Sequence, residues 1–390
     1  MDMMASKSIF KILSIALIFI SYSSFGQSKT VVDQNGNGDF LTIQEAVDQA
    51  GLGDTVFVNQ GIYYEHLWIV QDIVLIGEDP NNTIIDAQDT MKCISVRVME
   101  SDSKGLIKNL GIRNSGTGFS DGIGNCGVLL FGPVGTEWNV EGCNFESHPS
   151  AGLISSTTGV IINNHFIDSF RGMFMTQNST MNILNNNFVN NGSGIFCHIQ
   201  VTDVDIYNNV FVDNNVGLAI QNEIHENDYN LFWNNNLNCS QCEMGMNSIE
   251  ADPLFDTTAD NDYYPVIGSP LIDAGLPDLS NFYIPQTDLL GNARIIGGRI
   301  DLGSYEIEET SSVNSSQLVH FKVYPNPTSD IVFIEHESLE KVIVKDLRGK
   351  TILFTYNAQL DLKNLRSGLY ILSVYSTKKG QVYNTMIVKE

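Results

Sequence analysis

The chain has 390 residues, is 43% hydrophobic, and carries 45 Asp and Glu against 21 Lys and Arg, a net charge of −24. That length accommodates one large domain and a small one. The charge argues against nucleic acid and other polyanions as partners, because affinity for them comes from Lys and Arg replacing counterions.

Lys7 and Lys11 lead into an apolar run, Ile12 to Ile20, and Ser24 and Gly26 place small residues before a cut at Gln27. This is the pattern of a removable secretory signal peptide over residues 1–26. The run falls short of the ~20 apolar residues a membrane-spanning helix needs, so the mature protein is not expected to cross a membrane. A short helix follows in Thr42-Ile-Gln-Glu-Ala-Val-Asp-Gln-Ala50, where Ile43, Ala46, Val47 and Ala50 share one face. Thr42 is its N-cap, with Glu45 three residues on. Strands are expected at once in Asp54 to Val58 and Asp72 to Ile76.

The middle of the chain repeats itself. Ile161 to Phe166, Ile183 to Phe188 and Ile206 to Phe211 share the pattern I-x-N-N-x-F, with degenerate copies at Ile107 to Ile112 and Val140 to Phe145. Phe145, Phe166, Phe188, Phe211 and Phe232 are 21, 22, 23 and 21 residues apart, and Gly plus an apolar residue follows most copies. The period is too short for helix-pair repeats, the L-x-x-L-x-L frame of leucine-rich repeats is missing, and the alternating β-branched residues have a strand rhythm. Stacked coils then align equivalent residues in ladders ~4.8 Å apart. The predicted fold is all-β: a right-handed parallel β-helix over residues 27–307 with an N-terminal capping helix. The second Asn of each pair, Asn164, Asn186, Asn209 and Asn230, is expected to take the left-handed turn conformation and bond its stacked neighbours.

Charge divides the chain. Val31 to Tyr305 holds 8 Lys and Arg against 34 Asp and Glu, while Glu306 to Glu390 holds 10 of each. Between Asn114 and Ala293 the one fixed cation is Arg171. Of six cysteines only Cys239 and Cys242 are close, and in an oxidising compartment they are read as a local disulfide or as two thiols. No second Cys or His pair stands at zinc-ligand spacing.

The stretch Val31 to Ala46, with Gly53 to Tyr63, resembles the cap and first coil of pectinesterases and pectate-lyase-like β-helix proteins, over about 55 residues. That resemblance implies the fold. The pectinesterase segments D-F-I-F-G and L-G-R-P-W do not occur, Gln88-Asp89-Thr90 lies too early for the family's Q-D-T, and only Ser120-Asp121-Gly122 is similar to any polygalacturonase segment. No catalytic residue carries over. Asp252 to Phe255, Gly268 to Gly275 and Asp301 to Glu306 resemble the closing coils of secreted bacterial β-helix proteins, and their aspartates serve either calcium, the one cofactor considered, or turns and caps.

Residues 308–318 read as a linker. Beyond it, Val323-Tyr-Pro-Asn-Pro to Ile334, Val344 to Lys350, Leu360 to Ser373 and Met386 to Lys389 resemble the type A sorting domain of the type IX secretion system. The resemblance covers residues 319–390 and gives Pro325, Asn326, Pro327, Gly368 and Tyr370 as the sorting signal. It implies the type IX machinery as a partner and delivery to the outer cell surface or the medium. Read from residues alone, the same short alternating strands with Pro and Gly turns give a small β-sandwich.

Register along the repeat places Met173, Met175, Ile195, Cys197, Leu218 and Ile220 inward, and Phe174, Thr176, Phe196, His198, Ala219 and Gln221 outward. Phe174 and Phe196 should stack on the exterior beside Leu129 and Ile154, suiting the apolar faces of sugars, unless the insert between Ile112 and Phe145 covers them. Glu146, His148, Asp168, Arg171, Asp213, His198, Glu223 and His225 form the expected polar neighbourhood. Two readings follow. In one, a monomeric secreted β-helix binds extracellular polysaccharide through Phe174, Phe196, Gln221 and His148 without catalysis. In the other it is a lyase or glycosidase using Asp168, Arg171, Glu146 and His198 as acid and base.

Overall fold

The computed structural model describes residues 28–120, 123–221, 226–256, 263–307, 322–335, 339–346, 350–376 and 382–389. The expected signal peptide and linker, with Glu223 and His225, lie outside the described residues. The chain forms two compact units, Met1–Glu309 and Thr310–Glu390.

The first unit is a right-handed parallel β-helix of three sheets with nine, nine and eight strands, here sheets A, B and C. Each coil supplies one strand to each in turn. Thr158–Ile162 lies in sheet A, His165–Ile167 in sheet B and Arg171–Met175 in sheet C. The Phe ladder is in register on sheet B. All five rings are fully buried and stack at 4.6 to 5.0 Å, as the strand spacing requires. Val140, Ile161, Ile183 and Ile206 face them from sheet A. The repeated Gly makes room for the ladder: a Cβ on Gly172 would stand 2.7 Å from the Phe188 ring and 2.6 Å from the Gly194 carbonyl.

The turn between sheets A and B corrects the expectation for the Asn pairs. The left-handed residue is the first of each pair, Asn163, Asn185 and Asn208, with φ of 59°, 53° and 61°. The second is fully buried and builds the ladder: Asn164, Asn186 and Asn209 each donate N–H and Nδ2 to the Oδ1 of the Asn one coil on. Both positions are buried; the second stacks on its counterpart in the next coil, while the first takes the positive φ of the turn. Another ladder, unforeseen, runs through Asn191, Asn214 and Asn235 at the turn from sheet B to sheet C.

The capping helix, α1 (Ile43–Gln49), buries Ile43, Ala46 and Val47, and Thr42 Oγ1 accepts the Glu45 N–H. The Glu65 carboxylate takes the N–H groups of Ile43 and Gln44, each at 2.9 Å. This satisfies two donors that a helix start leaves open.

Residues 263–307 return along the solenoid. Asn185 Nδ2 donates to the carbonyls of Asp301 and Gly303, Asn163 Nδ2 to that of Thr287, and Asn208 Oδ1 accepts the Leu276 N–H. Leu271 and Leu302 pack on Val189, Val210, Val212 and Leu231, the outer side of sheet B. Here the aspartates cap backbone. Asp273 accepts from Gly298 and Arg299, Asp288 from Leu290, Asn292 and Glu306, and Asp301 from Asp273 and Ile307. Among the described residues no three His, Cys, Asp or Glu groups converge as a metal would require. Cys239 and Cys242 form a disulfide, and the other four cysteines are buried thiols.

The second unit pairs a three-stranded and a four-stranded antiparallel sheet over a core including Val332, Ile334, Val342, Leu360, Leu372 and Ile387. Asn326 Oδ1 accepts the Val388 N–H, and Tyr370 Oη donates to the Arg366 carbonyl.

Candidate functional site

Sheet C alternates as its sequence dictates. Met173, Met175, Ile195, Cys197, Leu218 and Ile220 are buried inside, and Phe174 and Phe196 pair across neighbouring strands on the outer face. The two rings meet edge to face, 5.5 Å apart at 73°, not flat one above the other. The reason is Arg171. Its guanidinium lies over three rings, 4.6 Å from Phe170 and 5.1 Å from each of Phe174 and Phe196. Burial lowers its pKa, and its charge is answered by ring faces.

Arg171 and Phe174 line a groove of about 420 Å³ together with Gly124, Leu129, Phe131, Ile154, Ser156, Thr176, Gln177, His198 and Gln200, and Phe170 and Phe196 adjoin it through Arg171. Leu129 and Ile154 face outward yet are 1% and 3% exposed, so this end of the face is covered, and Gly124 of the insert is part of the rim. His198 Nδ1 accepts the Gln200 N–H at 3.4 Å. Gln221 is exposed one coil beyond, its N–H bonded to the Cys197 carbonyl.

The other predicted residues do not join them. Glu146 and Asp168 line a separate groove of about 440 Å³ on the outer face of sheet B, with Asn81, Gly111, Arg113, Asn144, His165, Tyr263 and Tyr305. Asp168 is in the left-handed conformation (φ 52°) and accepts Asn190 Nδ2, and Asp213 repeats the arrangement with Asn234. His148 corrects the expectation of a substrate contact: it is 1% exposed, beneath the turn. Its Nε2–H donates to the Ile112 carbonyl and its Nδ1 accepts from Ser115 Oγ, both at 3.0 Å, and burial lowers its pKa to about 4. Sequence reasoning missed the sheet B groove because Tyr263 and Tyr305, which close its wall, come from the returning segment. Its signals in the sequence were Glu146 and Asp168, read there as part of another site, and His165, the fifth residue of the repeat at Ile161 to Phe166.

Residues 47–272, more than half of the chain, match the family described as periplasmic copper-binding protein (NosD). The chain belongs to the NosD family. Residues 322–389 of this NosD-family chain match the secretion system C-terminal sorting domain, which implies type IX secretion to the cell surface or the medium. No helix among the described residues is long and apolar enough to cross a membrane. Similar solved structures include the pectin methylesterase of Aspergillus niger, 14% identical over 60% of this chain and 94% of that one, TM-score 0.33. The Erwinia chrysanthemi enzyme is 14% identical over 56% and 81%, TM-score 0.31, and the carrot enzyme 10% over 57% and 88%, TM-score 0.28. No curated protein matches the NosD-family chain.

Proposed function

We propose that this secreted NosD-family β-helix binds extracellular polysaccharide through the sheet C groove and does not turn it over. The observation that carries this reading is the Arg171 guanidinium laid across Phe170, Phe174 and Phe196 at the groove's edge. Ring faces take the apolar side of a sugar, and the guanidinium, Thr176, Gln177, His198 and Gln200 present polar groups for its hydroxyls. In a chain with 45 Asp and Glu, none of the described residues lining this groove is acidic. The carboxylates that acid and base chemistry on a glycosidic bond would need, Glu146 and Asp168, line the other groove.

Copper, named in the family's description, has no matching donor set among the described residues. Cys143 and Cys197 are fully buried, with burial pushing both thiols up to about 12. His148 is buried with both ring nitrogens bonded, and His165 is buried with its Nε2 held by Ser304. No role for copper is therefore assigned.

Glycan-array screening of the mature protein, followed by titration of the best oligosaccharide, tests the proposal. Phe174→Ala should weaken binding about tenfold or more, the scale of one aromatic anchor. Unchanged affinity in that variant would sink the site, and release of shortened or unsaturated products would sink the noncatalytic reading.

A further inference from the structure

The sheet B groove has a chemistry of its own. Asp86, Arg113 and Glu146 are in register on adjacent strands. Arg113 Nε turns to Asp86 at 2.8 Å, and among the described residues Glu146 has no ion pair. Asp168 adds a second carboxylate, engaged by Asn190 Nδ2 alone. Asn144 donates Nδ2 to Asn81 Oδ1 at 2.7 Å, which leaves its own Oδ1 buried with no donor. His165, 2% exposed, also lines the groove. Ser304 Oγ holds its Nε2 at 2.7 Å, and no described residue meets its Nδ1.

Buried acceptors beside two uncancelled carboxylates ask for a donor-rich cation. A metal ion is disfavoured, since no three ligating groups converge among the described residues. An ammonium supplies three N–H donors. The remaining wall suits a ring with hydroxyls: Tyr263 and Tyr305 stand edge-on to His165 at 5.8 and 5.4 Å, and His165 Nδ1 and the Asn81 amide offer polar contacts. Gly111 opens the floor between Ile84 and Asn144, where a Cβ would come within 2.7 Å of the Pro80 carbonyl. The volume, about 440 Å³, is in the range of small-molecule sites.

We propose that this groove binds a sugar carrying a free amine, with Glu146 and Asp168 holding the ammonium and Asn144 and His165 reading neighbouring groups. The site is independent of the sheet C groove and does not rest on it.

Calorimetric titration of the mature full-length protein with glucosamine oligomers, N-acetylglucosamine oligomers and spermidine tests this. Glucosamine oligomers should bind at least about tenfold more tightly than the other two, and Glu146→Gln should lose about tenfold or more of that affinity. Asp168→Asn should weaken binding in the same direction. Both carboxylates are exposed, so the variants should fold, which circular dichroism checks. Equal binding of amine and acetylated oligomers, equally tight spermidine, no binding of glucosamine oligomers, or full affinity in both carboxylate variants would each overturn the proposal.

Discussion

Asn209 holds Asn186 of the preceding coil at two points, its Oδ1 accepting the Asn186 backbone N–H at 2.9 Å and Asn186 Nδ2 at 3.0 Å. Its own Nδ2 reaches the carbonyls of Ile183 and Tyr207 at 2.8 and 2.9 Å. Asn209→Ala strands these groups in a buried turn, at about 1–3 kcal/mol for each left unpaired. Chemical denaturation should show a loss of about 3 kcal/mol or more. Asn190→Gly, at an exposed left-handed residue (φ 54°), should cost under about 1 kcal/mol because glycine adopts that conformation freely.

Phe188 lies between Phe166 and Phe211, 4.9 and 5.0 Å away, and is fully buried. Phe188→Ala opens a cavity that neither neighbour can fill, because each is locked by its own coil. The expected loss is about 3–5 kcal/mol. Phe188→Leu should recover more than half of it, and equal losses in the two variants would mean that ring stacking, not volume, dominates.

The ladders were legible because a β-helix writes each three-dimensional neighbour into sequence at a fixed interval: Phe166, Phe188 and Phe211 had to stack once the period was known. The same arithmetic placed Phe174 and Phe196 on one outer face. It could not tell which Asn of a pair turns left-handed, since Asn185 and Asn186 are identical in type and both buried. Nor could it separate Glu146 and Asp168 from Arg171. All three lie near the turns between sheets B and C, and the direction each side chain takes depends on the turn's backbone. Tyr263 and Tyr305 reach the sheet B groove by a long-range return that follows no repeat.

Arg171 offers a sharper test of the sheet C groove than deletion. Lysine keeps the charge but cannot lie flat over three rings. Arg171→Lys should therefore reduce oligosaccharide affinity about five- to tenfold in titration, while a salt series shows the same dependence as the parent. A parent-like affinity would reduce the residue to a point charge.

The buried histidines weaken the β-helix in acid. His148 is neutral in the fold, with Nε2–H donating to the Ile112 carbonyl, and its pKa falls to about 4 because burial penalises the charged ring. The unfolded chain binds that proton near pH 6.5. Its contribution is thus complete above about pH 6.5 and is lost as pH falls through 4, a swing of about 3 kcal/mol. His165, lowered to about 3 by burial, acts in the same direction. Glu306 and Asp301 act oppositely. Burial raises them to about 8 and about 6, so their contribution is full below the ordinary carboxylate range and is lost as pH rises through those values. His148→Gln removes one of these groups while keeping a donor for Ile112, and unfolding free energies at pH 7 and pH 4 isolate it. The variant should lose about 3 kcal/mol less than the parent over that interval. An identical slope would mean that the His148 ring takes up its proton without leaving its buried seat.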